Sequence, residues 1–311
     1  MKNDIQISII ICTYNRAHLL KRTLDSILSQ NEISWEQTEL IIIDNNSSDE
    51  TPQIVMSYKL PYISYIKESN QGLSWARNRG INEAQGEILI FTDDDVIVDK
   101  LWVANIYTTF KRFPDCVSIG GRVLPDFGHI RCPEWIKRHY KEFPGPIVLH
   151  DHGDQCFEYK DTMCFAGANM AFRRLVFDKY GNFNTNLGFN AKHKIMIPGE
   201  ETELFNRIQN QRGKIIYCGK AVVYHPVEQK RCSLLYIIKW YIGAGRANAL
   251  KDTKEYRSWL GVPLWVYRQF IEAVFSIIIY IFSSKRYGTL KKLCISIGQA
   301  IEYRNKYYAN C

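Results

Sequence analysis

Glu87-Ile-Leu-Ile-Phe-Thr-Asp-Asp-Asp-Val-Ile-Val-Asp99 is the stretch on which the fold turns. Ile88 to Phe91 is an apolar run of strand length. Three consecutive carboxylates, Asp93, Asp94 and Asp95, follow at once. Like charges side by side repel, so the arrangement is costly unless something cationic neutralises it. Mg2+ or Mn2+ does this well, taking one or two carboxylates and completing its shell with water and phosphate oxygens. A solvated loop, with one Asp capping a helix that starts near Asp99, explains the same residues. The rest of the chain decides between the two.

Working outward, the same grammar repeats. Ile5 to Cys12 is apolar and is followed by Thr13-Tyr-Asn-Arg16 and a helical pattern to about Gln30. Leu40 to Ile43 is a second short strand that runs into Asp44-Asn-Asn-Ser-Ser-Asp-Glu-Thr51. Tyr62 to Ile66 reads as a third strand and Gly72 to Ala84 as a helix. Short apolar strands alternating with helices predict an α/β fold, a mainly parallel sheet flanked by helices. Ligands in such folds collect beyond the carboxyl ends of the strands, where Thr13–Arg16, Asp44–Ser48 and Asp93–Asp95 would all lie. Each loop alone has a structural explanation, since Asn and Asp bond their own backbone in turns. Three polar loops converging on one edge favour a ligand site.

Composition narrows the class. The 311 residues are 46% hydrophobic and 23% charged, ordinary for a globular chain. Met1-Lys-Asn-Asp-Ile lacks the apolar core of a signal peptide. Nine cysteines without paired spacing suggest reduced cytosolic thiols, and no CxxC argues for structural zinc. The net charge of +8 is uneven: residues 231–311 hold 13 Lys/Arg against four acids, whereas residues 1–230 come to −1. This divides the chain into a near-neutral body, 1–230, and a basic, aromatic helical tail, 231–311. Such a tail points to an anionic surface as partner; nucleic acid is disfavoured by the acidic loops at the sheet edge. A dinucleotide dehydrogenase would carry G-x-G-x-x-G after the first strand, and Cys12-Thr-Tyr-Asn-Arg16 contains no glycine; a P-loop is equally absent.

Taken together, these pieces resemble the family 2 glycosyltransferases with a GT-A fold. The resemblance is carried by Thr13-Tyr-Asn-Arg16, Asp44 to Thr51, Asn70-Gln-Gly-Leu-Ser-Trp-Ala-Arg-Asn78 and Asp93-Asp-Asp95. Gly167-Ala-Asn-Met-Ala-Phe-Arg173 and Gly199-Glu-Glu-Thr-Glu-Leu204 continue it, so that it covers roughly residues 5–228 in family order. It implies an inverting transfer from a UDP- or GDP-linked sugar to a saccharide or lipid-linked acceptor, in cell-surface polysaccharide or glycolipid synthesis. Other readings of the residues stay open: a non-catalytic nucleotide-sugar-binding protein, and a nucleotidyltransferase or phosphatase on a similar sheet.

The resemblance also distributes roles. Thr13, Tyr14 and Arg16 would take the donor, and Tyr14 is suited to stack on a flat base. Asp44 and Asn46 would reach the base edge, and Arg77 the base or phosphate region. Asp93 and Asp95 match the D-x-D, with Mn2+ or Mg2+ as cofactor; Asp95 would bind the metal, and Asp94 is the variable middle position beside the donor. Glu200-Glu201 stands where the family has Glu-Asp, so Glu201 is the expected base, with Glu200 beside it as the competing choice. A first-turn cluster of glutamates favoured by the helix dipole is the structural alternative. His225, in Tyr224-His-Pro226, sits where many members place a metal- or diphosphate-holding histidine; a strand-end histidine is also a common structural residue.

Two stretches lie outside these motifs. Pro125 to Thr162 is aromatic, proline-dotted and irregular, and its histidines, His129, His139, His150 and His152, have no metal-like spacing. Acceptor specificity is expected there. In the tail, Ala273–Ser284 is an uncharged run of 12 residues, short of the roughly 20 needed to span a bilayer. With Lys285-Arg286 and Lys291-Lys292 following, it predicts an interfacial helix at the cytoplasmic face of a plasma membrane. A helix packed on the body, or a homodimer seam, is the alternative.

Overall fold

Isoleucine fills four of the seven positions of Ile7–Thr13 (β1), and Thr38–Asp44 (β2) is buried throughout. Strands this apolar on both sides can only be covered on both faces, the condition of a parallel sheet between helices. The computed structural model describes residues 5–128, 130–159, 164–190, 195–197, 199–252, 254–280 and 282–309. Met1–Asp126 with His150–Pro226 forms one compact unit, and Phe127–Leu149 with Val227–Cys311 forms a second.

In the first unit, Ala17–Leu28 (α1), Thr51–Met56 (α2), Ile63–Lys67 (β3), Leu73–Glu83 (α3) and Ile88–Asp93 (β4) continue the alternation. Ile97–Val98 (β5), Trp102–Arg112 (α4) and Cys116–Asp126 (β6) follow. Glu134–His139 (α5) belongs to the second unit. The first resumes with Cys156–Glu158 (β7), Met170–Arg173 (β8), Leu175–Tyr180 (α6), Gly188–Asn190 (β9), Ile195–Ile197 (β10), Glu200–Asn210 (α7) and Lys214–Pro226 (β11). Among the described residues nine strands join one sheet, in the order β3-β2-β1-β4-β8-β6-β11-β5, with β7 also on β11. β1 is parallel to β2 and β4, and β6 to β11. β8 runs antiparallel between β4 and β6, which makes the sheet mixed. Rings of Phe91, Phe172, Phe177 and Phe183 meet edge-on in the core beneath it.

The second unit is helical. Leu234–Lys251 (α8), the short hairpin Ser258–Trp259 (β12) and Val262–Pro263 (β13), Leu264–Ile279 (α9) and Lys285–Ala309 (α10) make most of it. α8 and α10 pack backbone to backbone: a Cβ on Gly298 would stand 2.0 Å from the Ile242 carbonyl oxygen, and one on Gly245 2.1 Å from that of Ile295. Among the described residues no helix is long and apolar enough to cross a membrane. The sequence reading joined 127–149 to the body in one span, 1–230. The structure instead groups that segment with the C-terminal helices, because Ile136, Phe143 and Ile147 bury themselves against Ile237, Tyr241 and Tyr287. Nor is it wholly irregular, since α5 lies within it.

Candidate active site

The register of the parallel strands places the loops. Thr13 pairs with Asp44 and Cys12 with Asp93, so the chain leaves β1, β2 and β4 at one level. The first two loops then lock together. Asn15 N–H donates to Ser47 Oγ at 2.9 Å, and Ser48 N–H donates to Asn15 Oδ1 at 2.7 Å. Asp49, 32 residues along the chain, accepts the Ala17 N–H at 2.9 Å and so caps α1. Asn15 and Asn46 adopt left-handed φ values of 52° and 70°, a region asparagine tolerates better than most residues. Asp44 is fully buried and its carboxylate is engaged at both oxygens, by Tyr65 O–H at 2.5 Å and Ser47 N–H at 2.7 Å. Asn46 is exposed, Tyr14 is half-buried, and Thr13 is buried with its hydroxyl oxygen unpartnered.

Asp93 ends β4, and the three carboxylates part ways there. Arg16 Nη1 lies 3.0 Å from both Asp94 Oδ1 and Asp95 Oδ2. Burial works against the Arg16 charge, and Asp94 and Asp95 outweigh it. β11 runs antiparallel to β5, pairing Tyr224 with Ile97, and thereby delivers His225 Nε2 to 3.4 Å from Asp95 Oδ1. Asp93, Asp95 and His225 can each offer a ligand atom within 4.8 Å of the others. Asp94, buried on Arg16, is not of this group. Burial, with Asp95 alongside, pushes the Asp93 carboxyl up to about 6. Asp95 Oδ1 is buried and accepts no hydrogen bond. A buried carboxylate oxygen without a partner costs of order 1–3 kcal/mol, and two carboxylates with one imidazole is a donor set suited to Mn2+-type ions. The residues fit a divalent cation.

A second acidic group opens α7. Arg77, only 3% exposed, reaches Glu200 Oε1 at 3.3 Å with Nη1 and Glu201 Oε1 at 3.0 Å with Nη2. Its guanidinium also lies 5.3 Å over the Phe183 ring. Burial disfavours that charge, and Glu201 and Glu200 more than restore it. Burial and then Glu201 push the Glu200 carboxyl up, with Arg77 opposing. Glu200 is buried and its Oε2 accepts the Gly199 N–H at 3.1 Å, whereas Glu201 remains partly open. Residue 167 has no room for a side chain, because a Cβ there would stand 2.3 Å from Glu201 Oε1. The sequence expectation sent Arg77 to the base or phosphate; the structure sets it against the two glutamates. Cys12 lies between the two acidic groups, near Arg77 and Asp93, and burial pushes its thiol up to about 12.

Comparison with known proteins supplies the family. The family model for glycosyl transferase family 2 matches residues 8–181, more than half of the chain. The chain belongs to glycosyl transferase family 2. A glucosyl-dolichyl phosphate glucuronosyltransferase of Haloferax volcanii is 26% identical over 80% of this chain and 78% of its own length. A succinoglycan biosynthesis protein of Rhizobium meliloti is 25% identical over 80% of this chain and 76% of its own. A mannosyltransferase of Pyrobaculum calidifontis, solved with GDP-Man and Mn2+, superposes with a TM-score of 0.58 over 94% of this chain and 86% of that one, at 16% identity. The mixed, mainly parallel sheet is the GT-A fold.

Two asparagines inside these motifs take positioning roles that the sequence did not assign them. Asn45 is a buried hub: its side chain donates to Asn70 O at 2.6 Å and accepts the Gly72 N–H at 2.7 Å, tying the second loop to the start of α3. Asn169, wholly buried, accepts the Trp102 indole N–H at 2.9 Å and donates to the Arg122 and Ala221 carbonyls. It thus ties α4, β6 and β11 into one block. His150 shares a 2.6 Å hydrogen bond with the Tyr159 hydroxyl, and burial lowers it to about 4. His139 lies in the second unit with its ring 4.7 Å from that of Tyr287, and His129 falls outside the described residues.

Proposed function

We propose that this chain is an inverting, metal-dependent glycosyltransferase that moves a sugar from a UDP- or GDP-linked donor to a saccharide or lipid-linked acceptor, in cell-surface polysaccharide or glycolipid synthesis. The observation that carries the proposal is the pairing of two acidic groups in one unit: Asp93, Asp95 and His225, fitted to a cation, and Glu201, held by Arg77. The names of the two sequence relatives support the acceptor class, and the mannosyltransferase supports the donor class.

Asp93, Asp95 and His225 would hold Mn2+ or Mg2+, which when bound supplies charge neutralisation to the departing diphosphate. Tyr14, at the rim of the first loop, stacks on the base. Arg16 holds Asp94 and Asp95 in place. Glu201 Oε takes the proton of the acceptor hydroxyl as that oxygen forms its bond to the anomeric carbon and the bond to the diphosphate oxygen breaks. One displacement with one base inverts the configuration. Glu201 is preferred to Glu200 because Glu200 is buried and turned back to the Gly199 N–H, while Glu201 is open to an incoming hydroxyl. Arg77 orients Glu201 through its 3.0 Å contact. The enzyme works at the cytoplasmic face of a membrane, brought there by its basic tail. Thermal-shift titration with UDP- and GDP-sugars, with and without Mn2+, tests the donor site. Stabilisation that needs both nucleotide and metal supports it, and none in any combination overturns it. The anomeric coupling constant of the product then checks inversion.

A further inference from the structure

We infer that α9 docks flat on an anionic bilayer through one named face. The inference rests on the membrane-bound reading above and assigns the surface and the lipid class. Val266 and Ala273 are buried, and Val266 belongs to a small core with Ala249, Val262 and Tyr303. The opposite side of the helix is open and apolar apart from the exposed Arg268–Glu272 ion pair along one flank. Leu264, Ile271, Phe275 and Ile278 stand at i, i+7, i+11 and i+14, one stripe of an α-helix. Phe275 is 63% exposed, Ile278 66%, Ile279 72% and, just beyond the helix, Phe282 98%. Trp259, 62% exposed in the hairpin before α9, adds a residue type that favours the membrane–water interface. Contiguous exposed side chains of this size mark an interaction surface.

Charge decides what covers it. The unit that contains α9 carries 18 Lys/Arg against seven acids, +11, while the other unit is −3. Lys285 and Arg286 open α10 within four residues of Phe282. There they add to the positive end of the helix dipole, where cations are unfavourable unless anions approach. A second copy on this face would bring two +11 units together. An anionic lipid surface meets the same charges with the opposite sign. A 16-residue helix is about 24 Å long, shorter than the roughly 30 Å hydrocarbon layer, so α9 lies in the interface rather than across it. Apolar side chains enter the acyl boundary and the lysines meet phosphate headgroups.

Co-sedimentation of the full chain with vesicles tests this, using phosphatidylcholine alone and phosphatidylcholine with about 30% phosphatidylglycerol. Wild type should pellet with the anionic vesicles and be partly released by salt. The triple variant Phe275→Ser, Ile278→Ser, Ile279→Ser changes only exposed positions, so its melting temperature and nucleotide binding should match wild type. Its partitioning should fall about tenfold or more. Lys285→Gln with Lys292→Gln should weaken binding to anionic vesicles and flatten the salt dependence. If the triple variant partitions like wild type, the membrane reading survives and the α9 face is wrong. If wild type ignores anionic vesicles and light scattering finds a dimer that the triple variant dissociates, both fail and the face belongs to a second copy.

Discussion

Two acidic groups stand in the catalytic unit, and they are neutralised differently. Glu200 and Glu201 share a buried arginine that the chain itself supplies, at 3.3 and 3.0 Å. Asp93, Asp94 and Asp95 have Arg16, but it serves only Asp94 and Asp95, from a position that is half open to solvent. Asp93 is left with its carboxyl raised to about 6, and Asp95 Oδ1 is left buried without a hydrogen bond, 3.4 Å from His225 Nε2. The first group has a buried counter-charge that the chain itself supplies. The second fits a cation from outside. The proposed roles differ in the same way: a base needs a carboxylate oriented without a ligand, whereas a cation site needs carboxylates able to offer ligand atoms.

The contrast is broken most severely at Asp95. Asp95→Ala removes a ligand atom, and nucleoside diphosphate binding in Mn2+, followed by calorimetry, should fall beyond measurement with transfer down ~10³-fold or more. Equal affinity in wild type and variant would show that the group is complete without a cation. The arginine side comes next. Arg77→Met leaves the buried Glu200 and the partly open Glu201 without their counter-charge, and breaking a buried pair costs about 3–5 kcal/mol. Urea unfolding should show this, while Arg16→Met, which removes a half-exposed arginine, should cost less. Glu201→Gln follows: folding and donor binding persist, and transfer drops by about 10²-fold or more. Should Glu200→Gln be the inactive one, the base is the neighbouring residue.

The smallest effect sharpens the comparison from outside it. His150 has a folded-state value lowered from 6.5 to about 4, with burial as the main cause and His152 next, while Asp151 opposes. Between those values the unfolded chain binds a proton that the folded chain does not. Stability therefore rises with pH from about 4 to 6.5 and is lost on acidification. The slope of unfolding free energy against pH should flatten in His150→Gln; an unchanged slope would place the acid sensitivity elsewhere.

Much of this was legible beforehand, and the boundary of legibility is physical. Isoleucine runs marked β1, β2 and β4, because a strand buried on both faces needs apolar residues throughout. The polar loops after them marked the binding edge, because parallel strands of similar length end together. The Asp93–Asp95 cluster and the charge split of the tail were visible as composition alone. The irregular reading of 125–162 failed because amphipathic pieces such as α5 carry too few turns for their period to show. The buried asparagines, Asn45 and Asn169, lie inside motifs, but their roles gave no signal since a hydrogen-bonding hub has no periodicity.

Arg77 shows the same limit most plainly. Its motif was quoted from the sequence, yet its partners lie 123 and 124 residues away. What the sequence by itself determined is what adjacent residues encode: which segments are strands or helices, where each turns polar, and how charge divides along the chain. Which arginine meets which carboxylate, how His225 reaches Asp95, and which helices claim residues 127–149 were decided only by tertiary structure. Those choices depend on strand register and on the burial of side chains brought together from distant segments, and no local pattern carries either.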